Sequence, residues 1–356
     1  MTLLIFVVLL SILVFVHELG HYLAARRAGI KVEEFGFGFP PRVWSKKIGE
    51  TLFSINLIPI GGFVRLYGED ESVVKDKERA FYHKGKLARV SIVIAGVVMN
   101  ILLAVAAFSI LVWVTGIPKE TGKVQILEVA EGSPAAIAGI QKDDIVVSVE
   151  GQSVYETNVF VELVGQSGDA ETSLVIERGD GQEVILGVTP RSDPPEGEGA
   201  LGVVISSVEM IQPPIWQRPF VSVWYGAGEA IFWVKTVAVA VATSVSQLIH
   251  GETPQVTGPV GIFQMTGAVA RQGIFALISF AGIISINLAV LNILPIPALD
   301  GGRLLFIIVE TIFGRRVVPA VERYAHAGGM VLLLFLILAV TVMDVRRLLG
   351  GFLPIP

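Results

Sequence analysis

Long apolar stretches separated by polar, glycine-rich stretches are the main pattern of this chain. Four of them, near residues 3–25, 88–115, 273–294 and 327–343, have the length and character of membrane-spanning helices. Residues 120–190 instead show short alternating segments with Gly and Asp turns, which predict a soluble α+β insert. We therefore expect a polytopic α-helical membrane protein with about four transmembrane helices, a membrane-associated β-hairpin and one inserted domain.

Two shorter regions need separate interpretation. Residues 50–67 predict the hairpin, because two partly alternating segments flank the turn-type sequence Pro59-Ile60-Gly61-Gly62. Residues 219–249 are apolar enough to cross a membrane, but a full crossing would reverse the direction of residues 273–294. We expect 219–249 to lie along the membrane surface or to re-enter it.

These patterns divide the chain into four parts. They are an N-terminal membrane core of two spans (1–115), the inserted domain (116–200), an interfacial amphipathic connector (201–270) and a C-terminal membrane core of two spans (271–356).

Composition and charge agree with this layout. Of the 356 residues, 53% are hydrophobic and 17% are charged, against about 25% charged in ordinary soluble domains. Residues 26–89 hold thirteen Lys and Arg, whereas residues 116–215 hold five against seventeen Asp and Glu. The positive-inside bias predicts that the first stretch is cytoplasmic and the second extracytoplasmic. No basic run indicates a nucleic-acid partner.

The first apolar stretch contains the pentapeptide His17-Glu18-Leu19-Gly20-His21. Ionisable groups at membrane depth are costly and are therefore usually functional. Two histidines four residues apart project from one face of a helix, where both can bind one zinc ion. The adjacent Glu18 can then reach a zinc-bound water. The motif predicts a zinc site with Glu18 as its catalytic residue.

A catalytic zinc ion usually has three protein ligands and an open position for water. The chain has no cysteine, and His83, His250 and His326 occur in polar or boundary contexts where we expect surface residues. Asp300 is the better third candidate, because it follows a membrane-length helix and a Pro-x-Pro break.

Depth supports the choice of Asp300. Sixteen residues precede His17, so the site lies roughly 24 Å from the outer end of a core about 30 Å thick. Residues 273–294 span roughly 33 Å. If they run in the same direction as the first span, Asp300 arrives at the zinc. The alternative is that Asp300 only caps the helix that follows it.

Several motifs together resemble the site-2 protease family, most closely its bacterial regulator-of-sigma-E protease branch. They are the HExxH sequence in the first span, an Asn-x-x-Pro-x-Pro-x-Leu-Asp-Gly sequence in a later span, and a PDZ-like sequence at 132–146 between them. Further matching stretches are 35–40, 59–64 and 258–262. The best-known members carry two PDZ domains, whereas this chain has room for one.

The resemblance implies one zinc ion bound by His17, His21 and Asp300, with Glu18 as catalytic base. It also implies four spans with both termini outside, in a bacterial inner membrane. The PDZ-like domain would be extracytoplasmic and the active site would lie toward the cytoplasmic side. By motif, Asn292, Pro295 and Pro297 would shape a substrate-binding loop.

The expected activity is zinc-dependent cleavage of transmembrane segments in the lipid bilayer, as in regulated intramembrane proteolysis of an anti-sigma factor or clearance of remnant signal peptides. A substrate helix must unwind, and its backbone then needs new partners. The hairpin, with Gly61, Gly62 and Phe63, would supply an edge strand, or it only anchors the protein at the membrane surface. The PDZ-like domain would bind a peptide or protein end, or exclude substrates by size.

Two other functions and two purely structural roles are compatible with the same residues. A non-cutting metal-dependent scaffold or receptor would keep the metal site, and a zinc transporter would also carry ionisable groups within its spans. Asn292 could make only an interhelical hydrogen bond, and Pro295 and Pro297 could simply kink a helix.

Overall fold

The computed structural model describes residues 1–69, 74–195, 197–252 and 257–349. Residues 253–256 of the predicted connector and residues 350–356 of the predicted C-terminal core lie outside these ranges. The chain divides into two compact units. Unit 1 combines residues 1–114 with the chain from residue 216 onward, and unit 2 is Thr115–Ile215.

Unit 1 is mainly helical. Its α-helices, within the described residues, are α1 (Thr2–Arg27), α2 (Lys86–Thr115), α5 (Arg218–Ile249), α6 (Pro259–Gln272), α7 (Ile274–Asn292), α8 (Asp300–Phe313) and α9 (Pro319–Leu349). Five helices in this part of the chain are long and apolar enough to cross a membrane, namely α1, α2, α5, α7 and residues 320–346 of α9. The protein is a multi-pass membrane protein. Helix α5 corresponds to residues 219–249, which we expected to lie along the membrane surface or to re-enter it.

The first two helices run in opposite directions. The His17 ring meets the Asn100 side chain, and the His21 ring bonds the Ile92 carbonyl. Residue numbers therefore rise along α1 as they fall along α2, which is the antiparallel arrangement expected if both helices cross the membrane in succession.

Helix α7 runs in the same direction as α1. Leu9 and Leu13 pack in one cluster with Phe280, and His17 contacts Asn292 farther along both helices. This is the direction that the depth argument required for Asp300 to reach the histidines.

Helix α6 runs opposite to α1, because Phe263 packs on Phe6 and Gly267 lies against Thr2. Its 14 residues extend about 21 Å. Helix α5 is longer and packs on α2 and α7 through one face, in a cluster that includes Ala230 and Phe108.

The N-terminal half of unit 1 also holds a sheet of two long strands, β1 (Val32–Ile48) and β2 (Thr51–Leu66), joined at Gly49 and Glu50. Residues 34–37 pair with residues 52–55 on one side and with residues 62–65 on the other. The sheet therefore places the first part of β1 between two parts of β2.

The predicted hairpin at 50–67 is corrected by this register. Its two segments flank β1 rather than pairing with each other, and residues 59–62 lie within β2 instead of forming the turn. The sequence of β1 concealed a strand, because glycines and two adjacent prolines in residues 36–41 are typical of loops. Gly38 and Gly61 adopt φ values of 77° and 92°, which permit the local bends.

Unit 2 is a sheet with two short helices. Its strands have the order β7–β6–β4–β3–β8, with β5 paired to β4. Its elements are β3 (Ile117–Val129), α3 (Pro134–Ile137), β4 (Ile145–Val149), β5 (Gln152–Ser153), α4 (Thr157–Gln166), β6 (Thr172–Glu177), β7 (Glu183–Val188) and β8 (Val203–Ile211). Alternate residues of the strands, such as Val124 and Ile126, fill one apolar core with Phe160 of α4.

The far boundary of unit 2 differs from the predicted one at residue 200. Strand β8 belongs to this sheet, because Ile117 to Val129 of β3 pair with Val203 to Ile211. The connector therefore begins after β8, at about residue 216. The alternation in β8 was hidden by its short polar run, Ser206 and Ser207.

Candidate metal centre

The two histidines of the HExxH sequence point from one face of α1 toward α2. Their Nε2 atoms are 3.1 Å apart, as the i, i+4 spacing on a helix allows. Gly96 of α2 faces both rings, and a Cβ atom at this position would lie 2.8 Å from His17 Nε2. The glycine therefore provides the space that the two imidazoles occupy.

Asp300 reaches the histidines from the opposite end of the sequence. Its Oδ2 atom lies 3.0 Å from His17 Nε2 and 3.2 Å from His21 Nε2. The N-cap of α8 is Leu299, and Asp300 is the first helical residue. The carboxylate thus faces the imidazoles and does not act as the helix cap that was its alternative role.

These three side chains form a donor set that fits a zinc ion. Asp300 Oδ2 is buried and has no hydrogen-bond partner, and the three ligand atoms lie within 4.8 Å of one another. Two imidazole nitrogens and one carboxylate oxygen are typical ligands of catalytic zinc, and ligands about 2 Å from a tetrahedral ion stand a little over 3 Å apart. A buried carboxylate oxygen facing two nitrogens in this way is suited to share a cation with them.

Each histidine is oriented through its second ring nitrogen. His21 Nδ1 lies 2.8 Å from the Ile92 carbonyl oxygen, so Nδ1–H donates and Nε2 keeps its lone pair. His17 Nδ1 lies 3.3 Å from the Asn100 amide, whose buried Oδ1 has no partner. Rotating that amide by 180° lets Oδ1 accept the His17 Nδ1–H, which orients the ring as metal-binding histidines usually require.

Asn100 was not singled out in the sequence. It is fully buried at a helix interface, and its backbone carbonyl accepts a hydrogen bond from Ser285. An asparagine inside an otherwise apolar span, one turn after Gly96, is the signal that could have indicated it.

A cavity of about 200 Å³ adjoins two of the three candidate ligands, His17 and Asp300. Its lining residues are Val14, His17, Glu18, Asn100, Leu288, Asn292, Ala298, Leu299 and Asp300. Glu18 therefore shares the cavity wall with two of the ligands, and Asn292 places its amide nitrogen 3.3 Å from His17 Nε2. The cavity combines apolar walls with a few convergent polar groups, as small-substrate sites commonly do.

Of the three predicted substrate-binding residues of the sheet, Gly62 lies beside Glu18. A Cβ atom on Gly62 would be 3.2 Å from Glu18 Cγ, so the strand passes close to this side chain. Phe63 packs its ring over Gly36 of β1, while Gly61 lies against the Phe39 ring. Residues 62–66 pair with β1 on one edge, and no strand of the described residues pairs with their other edge.

Pro295 and Pro297 lie in the seven-residue connection between α7 and α8, not within a helix. They therefore separate two helices rather than kink one. Neither lines the cavity. The following Gly301 and Gly302 allow this connection to fold back, because a Cβ on either would collide with the carbonyls of residues 293, 294 or 296.

Among the remaining histidines, His326 departs from the surface role expected for it. It is only partly exposed, and its Nδ1 accepts a hydrogen bond of 2.9 Å from the backbone N–H of Ala298. His250 is exposed at the end of α5. Sequence context misjudged His326 because the neighbouring charges at the start of α9 gave no indication of what the helix packs against.

Helix α8 is tied to α2 by a buried ion pair between Arg89 and Glu310, whose side chains are 3% and 1% exposed. The other Glu310 oxygen accepts the Val317 N–H at 3.0 Å. Breaking such a pair by removing one partner is strongly destabilising, so this contact fixes the helix that begins at Asp300.

Comparison with known proteins extends over almost the whole chain. The sequence model of peptidase family M50 matches residues 5–336. The regulator of sigma-W protease RasP of Bacillus subtilis (strain 168) is 29% identical, over 98% of this chain and 99% of the relative. The zinc metalloprotease RasP of Geobacillus kaustophilus is 31% identical, over 96% and 97%. The matched region includes every residue that lines the cavity.

Proposed function

The chain belongs to peptidase family M50 and is a zinc-dependent intramembrane protease, and we propose that His17, His21 and Asp300 hold its zinc ion while Glu18 is the catalytic base. One observation carries the assignment of residues: a buried carboxylate oxygen that belongs to a distant helix lies 3.0 and 3.2 Å from the two imidazole nitrogens of the HExxH sequence.

The chemistry is hydrolysis of a peptide bond. When bound, zinc polarises the scissile carbonyl and lowers the pKa of its water to about 7. Glu18 accepts a proton from the attacking water and passes it to the leaving amine as the C–N bond breaks. Val14 and Leu288 give the cavity apolar walls, which limit the number of competing waters around the carboxylate.

The substrate is a transmembrane segment that has unwound at the cavity. The unpaired edge of residues 62–66 supports a role in binding the extended backbone, because strand addition supplies the hydrogen bonds that lipid cannot. Gly62 lies next to Glu18, so a strand added there would pass the catalytic carboxylate. Asn292 is suited to hold a substrate carbonyl or N–H near His17.

Four crossings of the bacterial inner membrane are consistent with the helix directions. Helices α2 and α7 run in opposite directions, so the intervening chain starts and ends on the same side. If α5 crossed fully, the chain would have to return, and α6 at about 21 Å is too short for a core of about 30 Å. We therefore assign α5 and α6 to the surface or to a re-entrant position, with both termini outside.

Unit 2 is assigned to the extracytoplasmic side as a PDZ-like domain. The Lys and Arg residues that precede α2, on its other side, support this orientation. Ser133 caps α3 by accepting the Ala136 N–H, which accounts for the Gly-Ser-Pro sequence that suggested such a domain. It would bind a peptide or protein end, or exclude large extracytoplasmic domains.

The substrates we propose are membrane proteins cut during regulated intramembrane proteolysis. One relative, which matches this chain over nearly its whole length, is named a regulator of sigma-W protease. This name favours an anti-sigma factor as the substrate. Remnant signal peptides have the same chemistry, an apolar helix without a large outer domain, and remain a second class.

The decisive experiment pairs zinc analysis with cleavage of a model transmembrane substrate by the parent and by Glu18→Gln. We expect Glu18→Gln to retain zinc and to lose cleavage by about a hundredfold or more, because a positioned acid–base group contributes that much. Glu229→Gln, at an exposed glutamate of α5, is the matched control and should cut normally. Full cleavage by Glu18→Gln would contradict the assigned base, and zinc-dependent transport without cleavage would favour the transporter.

A further inference from the structure

Asp300 is delivered to the metal centre by a non-helical segment whose backbone is held in an uncommon conformation. Ala298, two residues before Asp300, has φ 87°, a region that residues with a side chain rarely adopt. Such a conformation persists only where the surroundings determine it more strongly than the local preference opposes it. The structure should therefore contain contacts that fix Ala298.

Helix α9 supplies these contacts through two residues of one face. His326 Nδ1 accepts the Ala298 N–H at 2.9 Å. Gly329, three residues after His326, lies against Pro297. A Cβ atom on Gly329 would be 2.7 Å from Pro297 Cβ and would collide with the Pro297 carbonyl. The helix thus contacts both sides of the peptide bond between residues 297 and 298.

The His326 ring is itself fixed. Phe306 of α8 packs on it with ring centroids 5.8 Å apart, and Glu322 lies one turn earlier on α9 with an oxygen 3.9 Å from Nε2. Nδ1 accepts a hydrogen bond only when it carries no proton. The ring therefore presents a lone pair in a defined direction to the Ala298 N–H.

We propose that His326 is a positioning residue for the metal centre: its Nδ1 accepts the Ala298 N–H and holds the backbone that delivers Asp300 to His17 and His21. The proposal rests on the metal site assigned above. His326 touches neither metal nor substrate and acts through the backbone between Ala298 and Asp300. Ala298 and Leu299 also line the cavity, so the same hydrogen bond shapes the wall beside the reacting peptide.

The test compares substitutions that keep or remove an acceptor at the Nδ1 position. In His326→Asn the Oδ1 atom occupies the place of Nδ1, whereas in His326→Gln the polar atoms lie one bond farther out and His326→Leu has none. Tyr324→Leu, an exposed position on the same helix, is the control. Each full-length protein is purified in detergent, and zinc retention is measured against a graded chelator together with kcat and KM for a model transmembrane substrate.

We expect His326→Leu and His326→Gln to weaken zinc retention and lower kcat by about tenfold, because a partly buried N–H loses its partner, with KM little changed. His326→Asn should stay within about twofold of the parent, and the absorption spectrum of its cobalt-substituted form should match the parent's. The comparison of His326→Gln with His326→Asn tests the proposal even if His326→Leu folds poorly.

Equal zinc retention in all three variants and the parent would overturn the proposal, as would equal loss in Asn and Gln. A parent chain that binds zinc but does not cut would contradict the proposed function while leaving the zinc comparison valid. A parent that binds no zinc would overturn both.

Discussion

The two halves of the proposed metal centre are built in different ways. His17, Glu18 and His21 occupy one continuous helix, so the spacing of the residues alone sets their relative positions. Asp300 follows a seven-residue connection that is neither helix nor strand. Its position depends on α9, which bonds the connection at Ala298, and on the ion pair that ties α8 to α2. The helical half needs space from Gly96 and partners for the second nitrogen of each ring, whereas the other half needs long-range contacts that position its backbone.

This difference determines what each half tolerates. A substitution near the helical half changes the room around preformed ligands. A substitution near the connection changes where the backbone delivers its ligand, and a shift of less than an ångström at a metal site already matters. The sensitive positions of the second half should therefore lie on α9, away from the cavity.

The largest effect should follow from removing a ligand on either half. We expect His21→Ala and Asp300→Ala each to lower zinc affinity by more than about a hundredfold, which is the upper range for losing a residue that merely orients a ligand. Zinc content after dialysis and cleavage of a transmembrane substrate measure this. Normal zinc content in Asp300→Ala would show that the two halves do not share one ion.

The second effect tests the backbone contact of the connection. Gly329→Ala places a Cβ against Pro297, and overpacking at a site that cannot relax is costly. We expect zinc affinity to fall by on the order of a hundredfold, measured by chelator competition. The control is the neighbouring Gly328→Ala, because a Cβ at this position meets open space. Equal zinc affinity in the two variants would show that the contact between α9 and Pro297 does not position Asp300.

The third effect returns to the helical half. Asn100→Leu removes the partner of His17 Nδ1 while keeping an apolar span, and we expect about tenfold weaker zinc binding. Asn287→Leu is its matched control, because the Asn287 amide bonds only the Ile283 carbonyl of its own helix among the contacts of the described residues. If Asn100→Leu bound zinc as the parent does, the ring of His17 would be oriented by the helix alone.

The sequence predicted the helical half of the site better than the rest because its information is local. A fixed spacing on one helix identified His17, Glu18 and His21, and depth in the membrane then pointed to Asp300. Four predicted spans match long apolar helices among the described residues. The positions of the substrate-binding residues are observed, but their roles stay predictions.

The features that were missed depend on long-range packing. The β1 strand was concealed by its glycines and prolines, and β8 could be recognised only from its pairing with β3. Asn100 and His326 have no spacing that relates them to the motif, since each meets it through another helix. Propensity and periodicity describe neighbours in sequence, and these two contacts join residues 83 and 28 positions apart.

The smallest effect should distinguish the cost of the Ala298 backbone conformation from the contribution of the His326 hydrogen bond that maintains it. Glycine adopts φ 87° without a steric penalty, so Ala298→Gly should reduce the dependence of the connection on His326. Alone, this variant should change zinc affinity by less than about threefold, since it relieves strain but adds freedom. Combined with His326→Leu, it should recover part of the loss that His326→Leu shows by itself.

A double-mutant cycle on zinc affinity measures this coupling, because residues in direct contact give non-additive effects. The control cycle pairs Ala298→Gly with Asn100→Leu, which acts on the helical half and should be additive. Coupling with His326 but not with Asn100 is the expected result, because it is His326 that accepts the Ala298 N–H. Strict additivity in both cycles would mean that the Ala298 conformation does not depend on His326.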